Sequence, residues 1–257
     1  MNAKDDPKTG DETIPLFTKM CFDYAELPLA QTMDLSAQRF GTLMERIKDG
    51  IPLESCNNFF PARIRLTGED AKPDAALEYA KAAADRAAEM GAKIIVLGSS
   101  GAKNIPPGFP YNSAMLQLKE LLFKIDEIIR PLGITVVIEP LNKKESNFIT
   151  TASEGLSLVR ELNLENIKLL IDYYHLRMED EDPAVIIKKA GADLRHLHIA
   201  SKEGRLFPKQ GDGENYGLFF SLLKNIGYDG RVSIEAYSAD IAADGADSLK
   251  LLHSLCC

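Results

Sequence analysis

Three carboxylates and one imidazole stand at the ends of apolar runs that would otherwise read as core. Glu139 closes ITVVIE, Asp172 closes IKLLID, His198 lies near the end of LRHLHIA, and Glu235 lies near the end of VSIEAY. A charged group buried in an apolar strand costs on the order of several kcal/mol unless a partner offsets it. One strand-end acid is ordinarily an N-cap or an ion-pair partner. Four strands in succession ending in such a residue point instead to a shared ligand. Three oxygen donors and one nitrogen suit a hard or borderline divalent cation, namely manganese, magnesium or cobalt.

Residues so far apart in sequence can meet only if the elements bearing them end at one place. Short β-branched runs alternate with helical patterns from residue 22 onward, the signature of parallel βαβ units. Strands are predicted at 22–27, 52–58, 93–98, 134–139, 167–172, 194–200 and 232–237. Between them, Asp74 opens a helical run that stops at Gly91, a second runs over 113–131, Thr151 and Glu154 fit a capping box, and Asp182-Pro183 starts another helix. The fold class expected is α/β, a (β/α)8-type barrel, in which all strands open onto one mouth. Only seven strands can be named, so the first β/α unit is missing or degenerate. Either ETIPLFTKM supplies a makeshift edge or the barrel stays open between its first and last strands, leaving unpaired backbone that invites association with another copy. Residues 1–14 read as a polar stub and 15–257 as one barrel domain.

Bulk properties narrow the function. The net charge of −8, with Lys and Arg scattered, gives nothing to neutralise a phosphate backbone, so nucleic acid is not an expected partner. No apolar run reaches the roughly 20 residues of a membrane span, and the first residues lack the apolar centre of a signal peptide, so a cytoplasmic location is expected. Four cysteines, none at CxxC spacing, read as reduced thiols.

The motifs IEPLNKKESNF, LIDYYH, HLHIA, GRLFPKQGDG and SIEAY stand in an order that resembles the xylose isomerase-like TIM-barrel superfamily, in its sugar isomerase and epimerase branch. That resemblance implies Glu139, Asp172, His198 and Glu235 as metal ligands, with Glu145, His175 and Arg205 facing substrate oxygens. Arg205 stands one residue later than the family spacing. It also implies a metal-dependent isomerase or epimerase of a small sugar, sugar phosphate or related keto-compound. Moving a proton beside a carbonyl requires a base, an acid and a centre that holds enediolate charge. Glu139 and Glu235 would exchange the proton while the metal, manganese first, holds the charge. The same scaffold could carry a dehydratase, or a degenerate barrel that binds a sugar without turnover. Endonuclease IV-like enzymes need many histidines for three zinc ions, and this chain has four.

Other residues have two readings each. His196 shares the strand face of His198 but lies lower, where a hydrogen-bonded core histidine is expected. His253 reads as surface. The loop GSSGAKNIPPGF could present Ser99 or Lys103 to substrate, or be a plain connection. Glu26, Asn58 and Phe59 could line the mouth or simply pack.

Overall fold

The computed structural model describes residues 9–256. Seven parallel strands form one sheet in the order β1-β2-β3-β4-β5-β6-β7: β1 Ala25–Pro28, β2 Leu53–Asn57, β3 Ile94–Leu97, β4 Thr135–Ile138, β5 Ile167–Asp172, β6 Leu194–Ile199 and β7 Arg231–Ile234. Every strand anticipated from the sequence is present, and the sheet curls into a nearly closed barrel. Helices Pro73–Met90, Tyr111–Ile129, Ala152–Leu162 and Pro183–Ala190 cover its outside. They start and stop as the caps dictate. Gly91 takes φ 97 at the end of its helix, Thr151 and Glu154 form the reciprocal capping box, and Asp182 accepts from the Ala184 amide. An alanine stripe, Ala76, Ala80, Ala83, Ala84 and Ala87, lets Pro73–Met90 pack closely against its neighbours.

Alternation along the strands sorts the interior into two layers. The lower layer contains Glu26, Ser55, Val96, Val137, Leu170, His196 and Ser233. Of these, Val96, Val137 and Leu170 form an apolar cluster separate from the larger core between strands and helices. Two residues further along, the upper layer contains Asn57, Gly98, Glu139, Asp172, His198 and Glu235. Register is regular except at two places. One extra residue, Glu54, bulges from β2 opposite β1, and one, Arg195, bulges from β6 opposite β5.

Among the described residues no ladder joins β7 back to β1. The segment ETIPLFTKM is helical over Ile14–Lys19, so it supplies no edge strand and the barrel is open at this seam. A cavity of about 290 Å³ occupies it, lined by Phe17, Phe22, Phe207, Phe220 and Leu252. Side chains cross the gap instead: Tyr24 Oη lies 2.6 Å from Ser233 Oγ, and Arg231 forms a two-pronged ion pair with Glu54, at 2.6 and 2.7 Å. Residues 1–8 of the anticipated polar stub lie outside the described residues. The stretch from Thr9 to Thr13 is packed, with Asp11 fully buried and paired with Arg46 and Arg39. Thr9 also donates to Asp11, whereas Glu12 stays exposed.

Candidate metal centre

The upper layer brings the four expected ligands together. Glu139 and Glu235 immediately follow β4 and β7, Asp172 ends β5, and His198 is the penultimate residue of β6. All four are buried, and one ligand atom from each lies within 4.8 Å of the others. His198 Nδ1 is 3.1 Å from Glu139 Oε1 and 3.0 Å from Glu235 Oε2. Gly98 is the inward residue of the neighbouring strand end. A Cβ there would collide with Glu139 Oε2, so the missing side chain makes room for the carboxylate.

Electrostatics describe a site rich in negative charge. Burial pushes the Asp172 carboxyl up to about 8, against the pull of Arg205. Burial and then the charge of Glu235 raise Glu139. For Glu235 burial acts in the same direction, but His198 and Arg205 outweigh it and hold the group below the usual carboxylate range. His198 is itself held above its ordinary range: burial opposes its charge, while Glu26, Glu235 and Glu139 favour it. A divalent cation among these donors would let all three carboxylates ionise, and the predominance of oxygen suits a hard or borderline ion. The donor set therefore fits one such ion.

Above the layer opens a cavity of about 320 Å³ whose lining includes Glu139, Glu235, Glu145, His175, Arg205 and Ser99. Arg205 sits at φ 51 in the loop after β6, and its Nη2 lies 2.5 Å from Glu235 Oε2 and 3.3 Å from Asp172 Oδ2. Its Nη1 is 3.4 Å from Glu145 Oε1, and the guanidinium stacks on the Tyr174 ring. His175 Nδ1 accepts from the Asn142 amide and lies 2.8 Å from Asn142 Nδ2. Its Nε2, buried beside Asp172, has no hydrogen-bond partner. Burial and then Arg205 depress the imidazole pKa, so His175 presents a neutral ring with Nε2–H as a donor.

Ser99 takes φ 25 and its Oγ accepts from the Phe60 amide. Lys103 is placed otherwise. It is buried, it is absent from the cavity lining, and its ammonium donates to the Glu139 carbonyl oxygen at 2.9 Å. Asn58 lines the cavity, whereas Phe59 is core. His196 is a core histidine, with Nε2 2.8 Å from Glu26 Oε2, and His253 is exposed. Cys21 and Cys56 are free thiols. Sequence reasoning did not single out Gly98 or Asn57, although both follow from counting two residues up from an inward strand position.

The Xylose isomerase-like TIM barrel family model matches residues 17–252. A ketose 3-epimerase of Arthrobacter globiformis is 28% identical over 226 residues, 86% of this chain and 75% of that one. An L-ribulose 3-epimerase of Mesorhizobium japonicum is 31% identical over 122 residues, a stretch that takes in 47% of this chain and only 40% of that relative. A crystal structure of D-psicose 3-epimerase in the presence of D-fructose has the same fold, with a TM-score of 0.85 at 23% identity over 97% of this chain and 95% of the other. The family match begins before β1 and ends in the last helix, taking in every strand and every side chain of the centre, and the chain belongs to the Xylose isomerase-like TIM barrel family.

Proposed function

We propose that this chain is a divalent-metal-dependent enzyme that epimerises or isomerises an unphosphorylated keto-sugar, with Mn2+ as its ion. The observation that carries the reading is the convergence of Glu139, Asp172, His198 and Glu235 beneath a cavity of sugar size. The activities named for the relatives support the reaction class. Charge supports the substrate class. Asp34, Glu139, Glu145 and Glu235 line the cavity, while Arg205 is the only Lys or Arg among its described lining residues and already faces two of those acids. A neutral polyol meets hydrogen-bonding partners there, and a phosphate dianion meets repulsion.

The ion would supply a positive centre for the charge that develops on the substrate oxygens. The chain's own residues do the rest. Arg205, Glu145 and His175 Nε2–H hold hydroxyl and carbonyl oxygens in place. One of Glu139 and Glu235 removes the proton beside the carbonyl and the other returns one.

The test is incubation of a panel of ketopentoses, ketohexoses and their phosphate esters in D2O with Mn2+, followed by NMR and mass spectrometry. One deuterium at the carbon beside the carbonyl, in a product otherwise of unchanged mass, is the expected result, with free sugars ahead of phosphates and a chelator abolishing exchange. Loss of water would make the enzyme a dehydratase. No exchange into any ketose would overturn the proposal.

A further inference from the structure

Glu26 lines the seam cavity and is absent from the lining of the sugar cavity, yet both imidazoles of β6 converge on it. Its Oε2 lies 2.8 Å from His196 Nε2 and 2.7 Å from Ser233 Oγ, which in turn meets Tyr24 Oη at 2.6 Å. Its Oε1 lies 2.9 Å from His198 Nε2, off the line of a full hydrogen bond, and that buried nitrogen has no other hydrogen-bond partner. The opposite nitrogen of the same ring, Nδ1, faces Glu139 and Glu235.

An imidazole that binds a cation through Nδ1 must keep its proton on Nε2, and that proton needs an acceptor. We infer that Glu26 is a positioning residue for the metal centre. It takes the Nε2 proton of His198 from behind and fixes the tautomer and ring orientation that turn the Nδ1 lone pair toward the ion. Ser233, Tyr24 and His196 hold Glu26 in place. The inference rests on the metal reading above and adds a residue that touches neither ion nor sugar.

Mn2+ titration of the full chain, read as free Mn2+ by electron paramagnetic resonance, tests it in the wild type, Glu26→Gln and His196→Gln. Loss of a carboxylate behind a ligating histidine typically weakens binding by about 10- to 100-fold, and that is the drop expected for Glu26→Gln. At saturating Mn2+ this variant should recover most of its turnover with the KM for sugar unchanged. His196→Gln disturbs the same layer but leaves His198 its acceptor, so its Mn2+ affinity should stay within about threefold of wild type. Wild-type affinity in Glu26→Gln, or an equal loss in both variants, would overturn the positioning role and leave the metal centre standing. A wild type that binds no Mn2+ would overturn both. If Glu26→Gln does not fold, imidazole 15N spectra of the Mg2+-loaded wild type decide. A proton on His198 Nε2 supports the role, and a bare Nε2 refutes it.

Discussion

The lower layer of the barrel interior has two unlike halves. Beneath β3, β4 and β5, where the ladder is continuous, it is Val96, Val137 and Leu170, a dry cluster with no polar atom to satisfy. Beneath β6, β7, β1 and β2, the strands on either side of the unpaired β7–β1 seam, it is His196, Ser233, Glu26 and Ser55, tied together by hydrogen bonds and bordered by the seam cavity. Where backbone hydrogen bonds hold neighbouring strands in register, side chains are free to be apolar and simply fill space. Across the β7–β1 seam those bonds are absent among the described residues, and polar side chains supply direction instead, Ser233 bonding to both Tyr24 and Glu26. The candidate ligands above span the two halves: Glu139 and Asp172 stand over the apolar one, His198 and Glu235 over the polar one.

This contrast can be attacked from the largest expected effect downward. Glu139→Gln and Glu235→Gln keep the shape of the layer and remove a carboxylate proposed above to move the proton, so each should lower kcat by about 10²- to 10⁴-fold while the circular dichroism spectrum is unchanged. A variant of either with wild-type turnover would separate the chemistry from this layer. Leu170→Ala should do the reverse. It opens a cavity in the dry half and should cost about 2–5 kcal/mol in denaturant unfolding, with turnover per folded molecule retained at saturating Mn2+.

A smaller effect concerns pH in the metal-free chain. The folded state keeps Asp172 protonated up to about 8 and holds His198 above its ordinary 6.5, whereas the unfolded chain has lost the Asp172 proton well below that window and gives up the His198 proton within it. The native state binds more protons there, so stability falls as pH rises from 6.5 to 8. The melting temperature in chelator should decline across that range and the decline should flatten in Mn2+. A flat profile in chelator would mean that the ligands are not held as described. Tyr24→Phe removes one half-buried hydrogen bond across the seam and should cost about 1 kcal/mol, measured by the same unfolding experiment. A much larger loss would show that closure of the seam hangs on this contact.

Much of this was legible in the sequence because strands announce themselves by β-branched runs and because a charge at the end of such a run has few bland uses. Glu139, Asp172, His198 and Glu235 were read that way. Glu26 was open to two readings, since FDYAEL does not say which face the acid takes, and its partners His196 and His198 lie 170 residues or more downstream. Lys103 was open to two readings, a substrate contact or part of a plain loop, because the direction of a long flexible side chain is set by what it meets, here the carbonyl of Glu139. Asp11 looked solvated until the fold brought Arg39 and Arg46 to it. Closure of the seam by Tyr24, Ser233, Arg231 and Glu54 depends on pairings between the two ends of the chain, which local patterns cannot register.

The bulges at Glu54 and Arg195 make the centre a matter of parity. Each adds one residue to its strand between a lower anchor, Leu53 or Leu194, and the inward set above it. Leu194 faces the helices and His196 the interior although they stand two apart, so deletion of Arg195 would restore strict alternation and keep both imidazoles inward, whereas deletion of Leu197, above the bulge, would turn one of them toward the helices. Composition and hydrophobicity would barely register that deletion. The bulges are thus the places where β2 and β6 can shorten by one residue with the centre still facing inward, and the stretches above them, up to Asn57 and His198, are not.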